Sequence, residues 1–506
     1  MNMCIPALKK LLPTLVGMSL VVAVSAASAS NAPGKSDEHR NDGNHRVKVG
    51  VSVADYIINT WPNLDDATCG VNCFSLSYGT VPATPAPKFF EYTNGVPMWG
   101  IWKIYRQTGD KKYFDYVKKW MDSVVDANGN INYTSNGSPT ALRDPTIQDT
   151  MQPAMILLAL YEETKDQRYL TAASKVRAAI NNIKKNPQGA FWHKPTYPNQ
   201  QWLDGIYMSE PFLAKYGKLY ADKAIPGDSI TAFNTVTTQI KLADQFTFNP
   251  TKNLYYHAWN GATDGIWVGL KTAPAIGQVT TNVLWSRSIA WYYLGVIDVL
   301  DSLPKNHPDR KQLERIVKNI SQALAKYQDR KTGLWNQVID VTNDKLPANG
   351  GYANESVAAL PNWNETSASA LFVYGLAKSV RKGYISPLYE ISALQGWNGV
   401  KTQVEIAGAS VKVHGTVVGM SVGGTYNSYV NADFRSDLST GALPAPAGCT
   451  QVAYVTPPVN CKYLYVRDNV PQGMGAVLLA ASEMEDAPGL HLGEYKHDKH
   501  DKNDKH

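Results

Sequence analysis

The chain contains the same pattern twice in succession, first as NGVPMWGIWKIYRQTGDKKYFDYVKKWMDSVVDANGNINY (residues 94–133) and again as DTMQPAMILLALYEETKDQRYLTAASKVRAAI (residues 149–180). In each copy an apolar helix rich in small residues, over 94–105 or 149–161, is followed by a short turn and an amphipathic helix. A strand-like piece with glycine, asparagine and aromatic residues then leads into the next unit. A unit repeated in this way predicts stacked helix pairs.

Further units of this kind begin near Asp204, Arg287 and Glu365. The last apolar helix, Gly473–Met484, has no partner after it, and the first helix, Val51–Trp61, has no partner before it. Pairing these two ends closes a ring of six helix pairs, whereas a solenoid would not need its ends to complete each other. The sequence therefore predicts an all-α fold, an (α/α)6 barrel with small β-like elaborations at its mouth.

The strand-like pieces follow the outer helices and lead into the inner ones, so all of them should gather at one mouth of the barrel. They occupy residues 129–133, 189–194, 254–259 and 333–337. We assign residues 47–487 to one barrel domain. An insertion near residues 400–466, rich in glycine and β-branched residues, interrupts the helical pattern.

The two ends of the chain are predicted to lie outside the barrel. Lys9 and Lys10 precede an apolar run over residues 11–24, and small residues follow at 27–29, the pattern of a signal peptide that ends near residue 29. Residues 30–46 are predicted to be a disordered linker, and residues 488–506, rich in His, Lys and Asp, a disordered tail. The protein is accordingly expected to be secreted or periplasmic, with no membrane segment once the signal is removed.

Composition and charge exclude some partners. The 506 residues are 44% hydrophobic and 18% charged, which is ordinary for a globular protein. The formal net charge of +6 is mild, and no cluster of Lys and Arg is interleaved with aromatic residues, so nucleic acid is not an expected partner.

Four cysteines remain once the leader is removed, and an even number in an exported chain suggests disulfides. Proximity favours the bridges Cys69 to Cys73 and Cys449 to Cys461, although other pairings stay open. A zinc site is disfavoured because the pairs lack tight CxxC spacing on both sides. No metal or cofactor is expected.

Two aspartates stand where inner helices are expected to begin at the mouth, Asp149 and Asp204. An isolated aspartate in that position usually caps its helix. Asp204, however, lies in WLDGIYM (residues 202–208), where apolar neighbours could desolvate its carboxyl, the environment in which general acids work. Two carboxylates at one mouth suggest acid/base chemistry on a sugar.

Several motifs in order then resemble the unsaturated rhamnogalacturonyl hydrolases of glycoside hydrolase family 105. They are GAFWHK (189–194), QWLDGIYM (201–208), YHAWN (256–260), WSR (285–287) and LGVIDVL (294–300), and the similarity spans 92–484. The resemblance implies the same (α/α)6 barrel. It also implies hydration of the C4=C5 double bond that a polysaccharide lyase leaves in a terminal uronic acid, a step that releases the neighbouring sugar.

By the same resemblance, Asp204 is the acid/base and Asp149 the second essential carboxylate. The sugar site is then lined by Tyr92, Lys194, Trp202, His257, Arg287 and Trp291. Arg287 is the expected partner of the substrate carboxylate, because a guanidinium binds a carboxylate through two parallel hydrogen bonds. Core packing remains the alternative for both tryptophans, a structural role for His257, and an ion pair with an aspartate for Arg287.

Other functions stay open at this point. The expected substrate is an oligosaccharide made by a pectin or ulvan lyase, and a glucuronyl rather than galacturonyl end is one alternative. A hydrolase of intact glycosides, a uronate lyase, or a non-catalytic sugar-binding protein would show a similar mouth. Retention of both aspartates argues against the last, and the sequence does not give the oligomeric state.

Overall fold

The computed structural model describes residues 48–62, 90–132, 134–135, 138–142, 144–262, 279–281, 283–345, 361–417, 419–420, 422, 430 and 469–485. The predicted signal peptide, linker, tail and all four candidate disulfide cysteines, Cys69, Cys73, Cys449 and Cys461, lie outside these residues. So does most of the predicted insertion. All described residues belong to a single unit that spans Val47–His506.

Six helices form an inner ring, and each contacts the next until the last contacts the first. They are α2 (Tyr92–Thr108), α4 (Ala154–Thr164), α6 (Leu203–Tyr216), α9 (Ser286–Leu300), α11 (Thr366–Arg381) and α13 (Pro471–Met484). Their sequences are apolar all round because both faces are covered. In α9, for example, every residue is buried.

An outer helix packs against each inner one. The outer helices are α1 (Val49–Thr60), α3 (Lys111–Val124), α5 (Gln167–Asn181), α8 (Asp228–Thr247), α10 (Arg310–Tyr327) and α12 (Glu390–Thr402). These helices bury one stripe only; in α10 the stripe includes Leu313, Ile316, Val317 and Ile320. Each such side chain contributes about 1.5–3 kcal/mol by burial. The predicted (α/α)6 barrel is confirmed.

The ring closes through the two ends of the barrel domain, as predicted. Helix α1 packs against α13, and Glu485, just after α13, accepts hydrogen bonds from the backbone N–H groups of Val49 and Gly50 at 2.8 and 3.0 Å. A carboxylate in that place accepts hydrogen bonds from the first free N–H groups of α1. Its negative charge also interacts favourably with the positive end of the helix dipole. A Cβ atom on Gly475 would lie 2.7 Å from the backbone nitrogen of Pro97, so glycine lets α13 and α2 approach.

Similar turns bring the chain back to the mouth after four outer helices. In each, an Asp or Asn side chain accepts two backbone N–H bonds from residues two to four positions later. These residues are Asp126, Asn186, Asn249 and Asp329. A residue with positive φ follows each one, at Gly129, Gly189, Asn253 and Gly333.

Short strands then line the mouth. Strand β3 (Gln200–Trp202) pairs antiparallel with β6 (Ala258–Asn260), which pairs with β7 (Val279–Thr280). Four further pieces form two-residue to five-residue hairpin strands: β1 (Thr134–Ser135) with β2 (Ser138–Leu142), and β4 (Phe248–Asn249) with β5 (Leu254–Tyr255). A hairpin of β8 (Val404–Ala407) and β9 (Ser410–Val413) follows α12. A π-helical segment, Gly217–Ala221, connects α6 to a short helix, α7 (Asp222–Ala224). Within the described residues, none of the helices is long and apolar enough to cross a membrane.

Candidate active site

Asp149 lies on a short 3₁₀ turn, Gln148–Thr150, and not on the inner helix that the sequence predicted to begin there. The helix α4 begins only at Ala154. This correction has a local cause, since Pro153 disfavours the helical conformation in the residue before it and offers no N–H to continue the ladder. The turn leaves Asp149 at the mouth, where its side chain is only 4% exposed.

Two basic side chains flank this buried carboxylate. Lys194 Nζ lies 2.6 Å from Asp149 Oδ2, and His193 Nε2 lies 3.5 Å from Asp149 Oδ1. Both side chains come from the strand-like piece that precedes β3. The Gln148 backbone N–H donates to the His193 carbonyl at 3.3 Å, which fixes the piece beside the Asp149 turn.

Asp204 is the second residue of α6, and strand pairing brings His257 to it. Trp202 pairs with Ala258 across β3 and β6, and the Leu203 N–H donates to the His257 carbonyl at 3.0 Å. In this register His257 Nε2 lies 3.1 Å from Asp204 Oδ2. His257 is fully buried, while the Asp204 side chain retains 13% exposure.

His193 lies beside Asp149 and is influenced by both carboxylates. Burial lowers the pKa of this imidazole to about 4, and Asp149 and Asp204 both act on it in the opposite direction, against Lys194 and His257. The charge state of this ring therefore depends on all four ionisable groups. At neutral pH that ring is uncharged, and the charge beside Asp149 comes from Lys194.

Aromatic rings fill the space between these groups. His193 stacks on Trp202 with ring centroids 4.5 Å apart, and Tyr197 stacks on it at 4.9 Å. His257 meets Trp202 edge-on at 5.3 Å and Trp285 at 4.7 Å. Such contacts hold each imidazole in one orientation.

Arg287 stands next to this cluster, at the start of α9. Its guanidinium lies 5.1 Å from the Trp285 ring centroid. Its Nη1 donates to Ser367 Oγ at 3.3 Å and to the carbonyl of Val417. Val417 belongs to the predicted insertion and is itself fixed by Glu365, which accepts its N–H at 3.0 Å. Arg287 is only 2% exposed.

Comparisons with known proteins identify the family of the chain. The model of Glycosyl Hydrolase Family 88 matches residues 76–445, well over half of the chain. The chain belongs to glycosyl hydrolase family 88.

Relatives of this family 88 hydrolase include the unsaturated rhamnogalacturonyl hydrolase YesR of Bacillus subtilis (strain 168). It is 22% identical over 257 residues, which are 50% of this chain and 64% of YesR, so the match spans less than two thirds of that relative. A family 105 glycoside hydrolase of C. acetobutylicum ATCC 824 superposes with a TM-score of 0.63 and 26% identity, over 86% of this chain and 99% of that one.

An unsaturated glucuronyl hydrolase specific for heparin shares the fold alone, at 13% identity and a TM-score of 0.53 over 86% of this chain and 96% of that one. The predicted likeness to family 105 is confirmed. Hydrolysis of glycosyl bonds follows from family membership.

The structure of the family 88 enzyme unites most residues that the sequence singled out. A continuous series of contacts joins Asp149, Lys194, Trp202, Asp204, His257 and Arg287 through His193 and Trp285. Tyr92 is the first residue of α2 and half-buried at the same mouth. Trp291 lies deeper on α9, is 1% exposed and stacks on Tyr207 at 4.8 Å.

Burial favours core packing for both tryptophans in this family 88 enzyme, the alternative that the sequence left open. Trp202 is 5% exposed, with protein rings stacked on it, and Trp291 is enclosed beside Tyr207. Trp202 supports the rings of His193 and His257, and Trp291 packs against Tyr207. His257 combines full burial with its contact to Asp204.

Sequence reasoning did not select His193, Tyr197 or Trp285 as site residues, although all three touch the cluster. His193 directly precedes Lys194 and lies among aromatic residues in GAFWHK (189–194), as His257 does in YHAWN (256–260). This aromatic setting was the signal from which the sequence could have predicted a site role for His193. Within the described part of the chain, no group of three or more His, Cys, Asp or Glu side chains is placed to hold a metal ion.

Proposed function

We propose that this family 88 hydrolase releases the terminal unsaturated galacturonyl residue from rhamnogalacturonan-derived oligosaccharides by hydrating its C4=C5 double bond. The observation that carries the proposal is the pair of unlike carboxylates at one mouth. Asp149 is buried beside Lys194, and Asp204 is partly exposed beside a buried imidazole. The similarity to YesR, an unsaturated rhamnogalacturonyl hydrolase, supports the choice of substrate class.

Asp204 is proposed as the proton donor. Its proton goes to C4, the electron pair of the double bond forms the new C–H bond, and the positive charge that develops at C5 is shared with the ring oxygen. Water then bonds to C5 and returns a proton to the Asp204 carboxylate. The resulting hemiketal opens by cleavage of the bond between C5 and the ring oxygen, and the hemiacetal left at C1 expels the neighbouring sugar.

Asp149 is proposed to position the water or the substrate as a fixed carboxylate. Its 2.6 Å contact with Lys194 stabilises the charged form in a buried setting. A negative charge there also favours the cation that forms at C5 during proton transfer. Lys194 thereby acts on the sugar site both directly and through Asp149.

Arg287 is proposed to bind the carboxylate of the uronic acid. Its Nη1 donates to the neutral carbonyl of Val417. A substrate carboxylate that replaced this acceptor would provide a stronger, charge-assisted hydrogen bond. The secreted or periplasmic location that the leader predicts belongs to the same proposal, since lyase products of cell-wall polysaccharides form outside the cytoplasm.

The position of a deuterium label tests this chemistry. Reaction in heavy water should place deuterium on C4 of the released uronic acid, because the proton of Asp204 exchanges with solvent before transfer. Mass spectrometry of the product reads the label. Hydration of the double bond requires a solvent deuteron on C4, so a product with an unlabelled C4 would refute it.

The substrate class needs a separate comparison. Unsaturated oligosaccharides from rhamnogalacturonan lyase, ulvan lyase and heparin lyase, each beside its saturated counterpart, are incubated with the enzyme while the far-ultraviolet absorbance of the double bond is followed. We expect the fastest loss with rhamnogalacturonan fragments. A preference for ulvan or heparin fragments would assign glucuronyl specificity instead, and turnover of the saturated counterparts would assign ordinary glycoside hydrolysis.

A further inference from the structure

A buried carboxyl lies beneath the site on the same helix as Asp204. Glu210 is in the second turn of α6 and is 1% exposed. No ion pair joins it to another side chain in the described part of the molecule. Burial raises the pKa of Glu210 to about 8, opposed by hydrogen bonds from Ser209 and the local backbone. The group is therefore protonated at neutral pH.

Hydrogen bonds connect this carboxyl to the turn that carries Asp149. Ser209 Oγ donates to Glu210 Oε2 at 2.7 Å, and Gln148 Nε2 donates to Ser209 Oγ at 3.1 Å. The hydroxyl has a single proton, and its other acceptor, the Gly205 carbonyl, is farther away at 3.3 Å. The order of donation is thus Gln148 to Ser209 to Glu210.

The packing at Gly205 leaves the Gln148 side chain little freedom. A Cβ atom at position 205 would lie 2.1 Å from Gln148 Oε1, so the amide rests directly on the first turn of α6. Gln148, Ser209 and Glu210 are each 1% exposed. In such a dry environment the hydrogen bonds from Gln148 to Ser209 and from Ser209 to Glu210 restrict all three side chains, and the loss of either bond is costly.

We propose that Glu210 is a positioning residue for Asp149, acting through the buried hydrogen bonds of Ser209 and Gln148. Gln148 is the residue before Asp149, so a fixed amide fixes the backbone of the turn. These hydrogen bonds thereby fix the position of the Asp149 carboxylate relative to α6, the helix that carries Asp204. The inference rests on the proposed function, in which Asp149 must be held in one position beside Asp204.

Steady-state kinetics on the unsaturated oligosaccharide test this role through the separation of kcat from KM. Ser209→Ala removes the hydroxyl that connects Gln148 to Glu210, and Glu210→Leu removes the final hydrogen-bond acceptor of the series. Both should lower kcat at least tenfold while KM changes less than threefold. Glu210→Gln retains an acceptor oxygen and should stay within threefold of the wild-type kcat.

Ser321→Ala is the matched control, because Ser321 is an equally buried serine whose Oγ lies 2.7 Å from the Tyr293 hydroxyl, away from the mouth. It should lower Tm about as much as Ser209→Ala but leave kcat unchanged. A folded Ser209→Ala variant with the kcat of Ser321→Ala would overturn the positioning role. So would a kcat for Glu210→Gln as low as that of Glu210→Leu.

A thermal double-mutant cycle tests the chain without any substrate, so its failure is distinct from failure of the proposed function. Gln148→Ala and Glu210→Leu are combined, and Tm is measured for each variant. If Ser209 couples the two residues, the second substitution should lower Tm by less than half as much as it does alone. Additive losses of Tm would show that no hydrogen-bonded series couples Gln148 to Glu210, and they would overturn the inference.

Discussion

The two carboxylates of the site occupy different surroundings. Asp149 lies on an irregular turn, has a side chain only 4% exposed and contacts Lys194 and His193. Asp204 lies at the start of a long helix, has a side chain 13% exposed and contacts only His257 among the ion pairs of the described residues. One carboxylate is paired with a lysine, and the other faces a buried imidazole.

This difference indicates a division of labour. A carboxylate beside a lysine at 2.6 Å favours its charged form, which suits a fixed negative charge and not a proton donor. A carboxyl with residual access to the mouth can reach a substrate atom. Enzymes commonly assign acid and base roles by giving two carboxyl groups different environments.

Replacement of the proposed proton donor should produce the largest effect. Asp204→Asn retains the shape of the side chain but removes the titratable group. We expect turnover to fall by several orders of magnitude, beyond the roughly 10²–10⁴-fold usual for one general acid. The Tm should change little, because Asp204 has no lysine or arginine partner among the described residues. A near-normal kcat in this variant would end the assignment of Asp204.

Replacement of Asp149 should combine lost activity with lost stability. Asp149→Asn removes the partner of Lys194 and the negative charge that favours the cation at C5, and we expect kcat to fall by about 10²–10⁴-fold. The free energy of unfolding should fall by about 1–3 kcal/mol, less than for a fully enclosed pair, since Lys194 keeps 14% exposure.

Lys194→Met is the matched variant for Asp149→Asn, since it breaks the same ion pair from the other side. Urea denaturation should show a similar loss of stability for both. If Asp149→Asn destabilised the protein no more than Asp204→Asn does, the contrast between the two surroundings would be wrong.

The stability of the protein in acid should report on the His193 imidazole beside Asp149. The pKa of His193 is lowered to about 4 in the folded enzyme, against about 6.5 for an unfolded chain. Between these pH values the unfolded state binds more protons than the folded state. The contribution of His193 to the free energy of unfolding is therefore fully present above pH 6.5 and is lost as the pH decreases toward 4. The limiting slope for this one group is about 1.4 kcal/mol per pH unit.

His193→Gln cannot titrate and should show a shallower fall over the same range. Urea midpoints at pH 7, 6, 5 and 4.5 for both proteins measure the difference. Equal slopes would mean that His193 is not held neutral by burial.

The sequence predicted the barrel well because its signal is local. Helical periodicity, repeated units and unpartnered end helices specify the ring without knowledge of any long-range contact, and the described helices agree. The same periodicity placed Asp204, Arg287 and Glu365 at helix starts. It misplaced the start of α4, since apolar periodicity continues through Gln152 although Pro153 interrupts the helix.

The sequence by itself thus determined the helix pairs, the closure of the ring and the gathering of Asp149 and Asp204 at one mouth. Only the tertiary structure decided which partner each received. Lys194 reaches Asp149 from 45 positions away in the chain, and His257 reaches Asp204 through the register of β3 and β6. Such pairings depend on how strands and turns pack in three dimensions, and residue spacing carries no record of that packing.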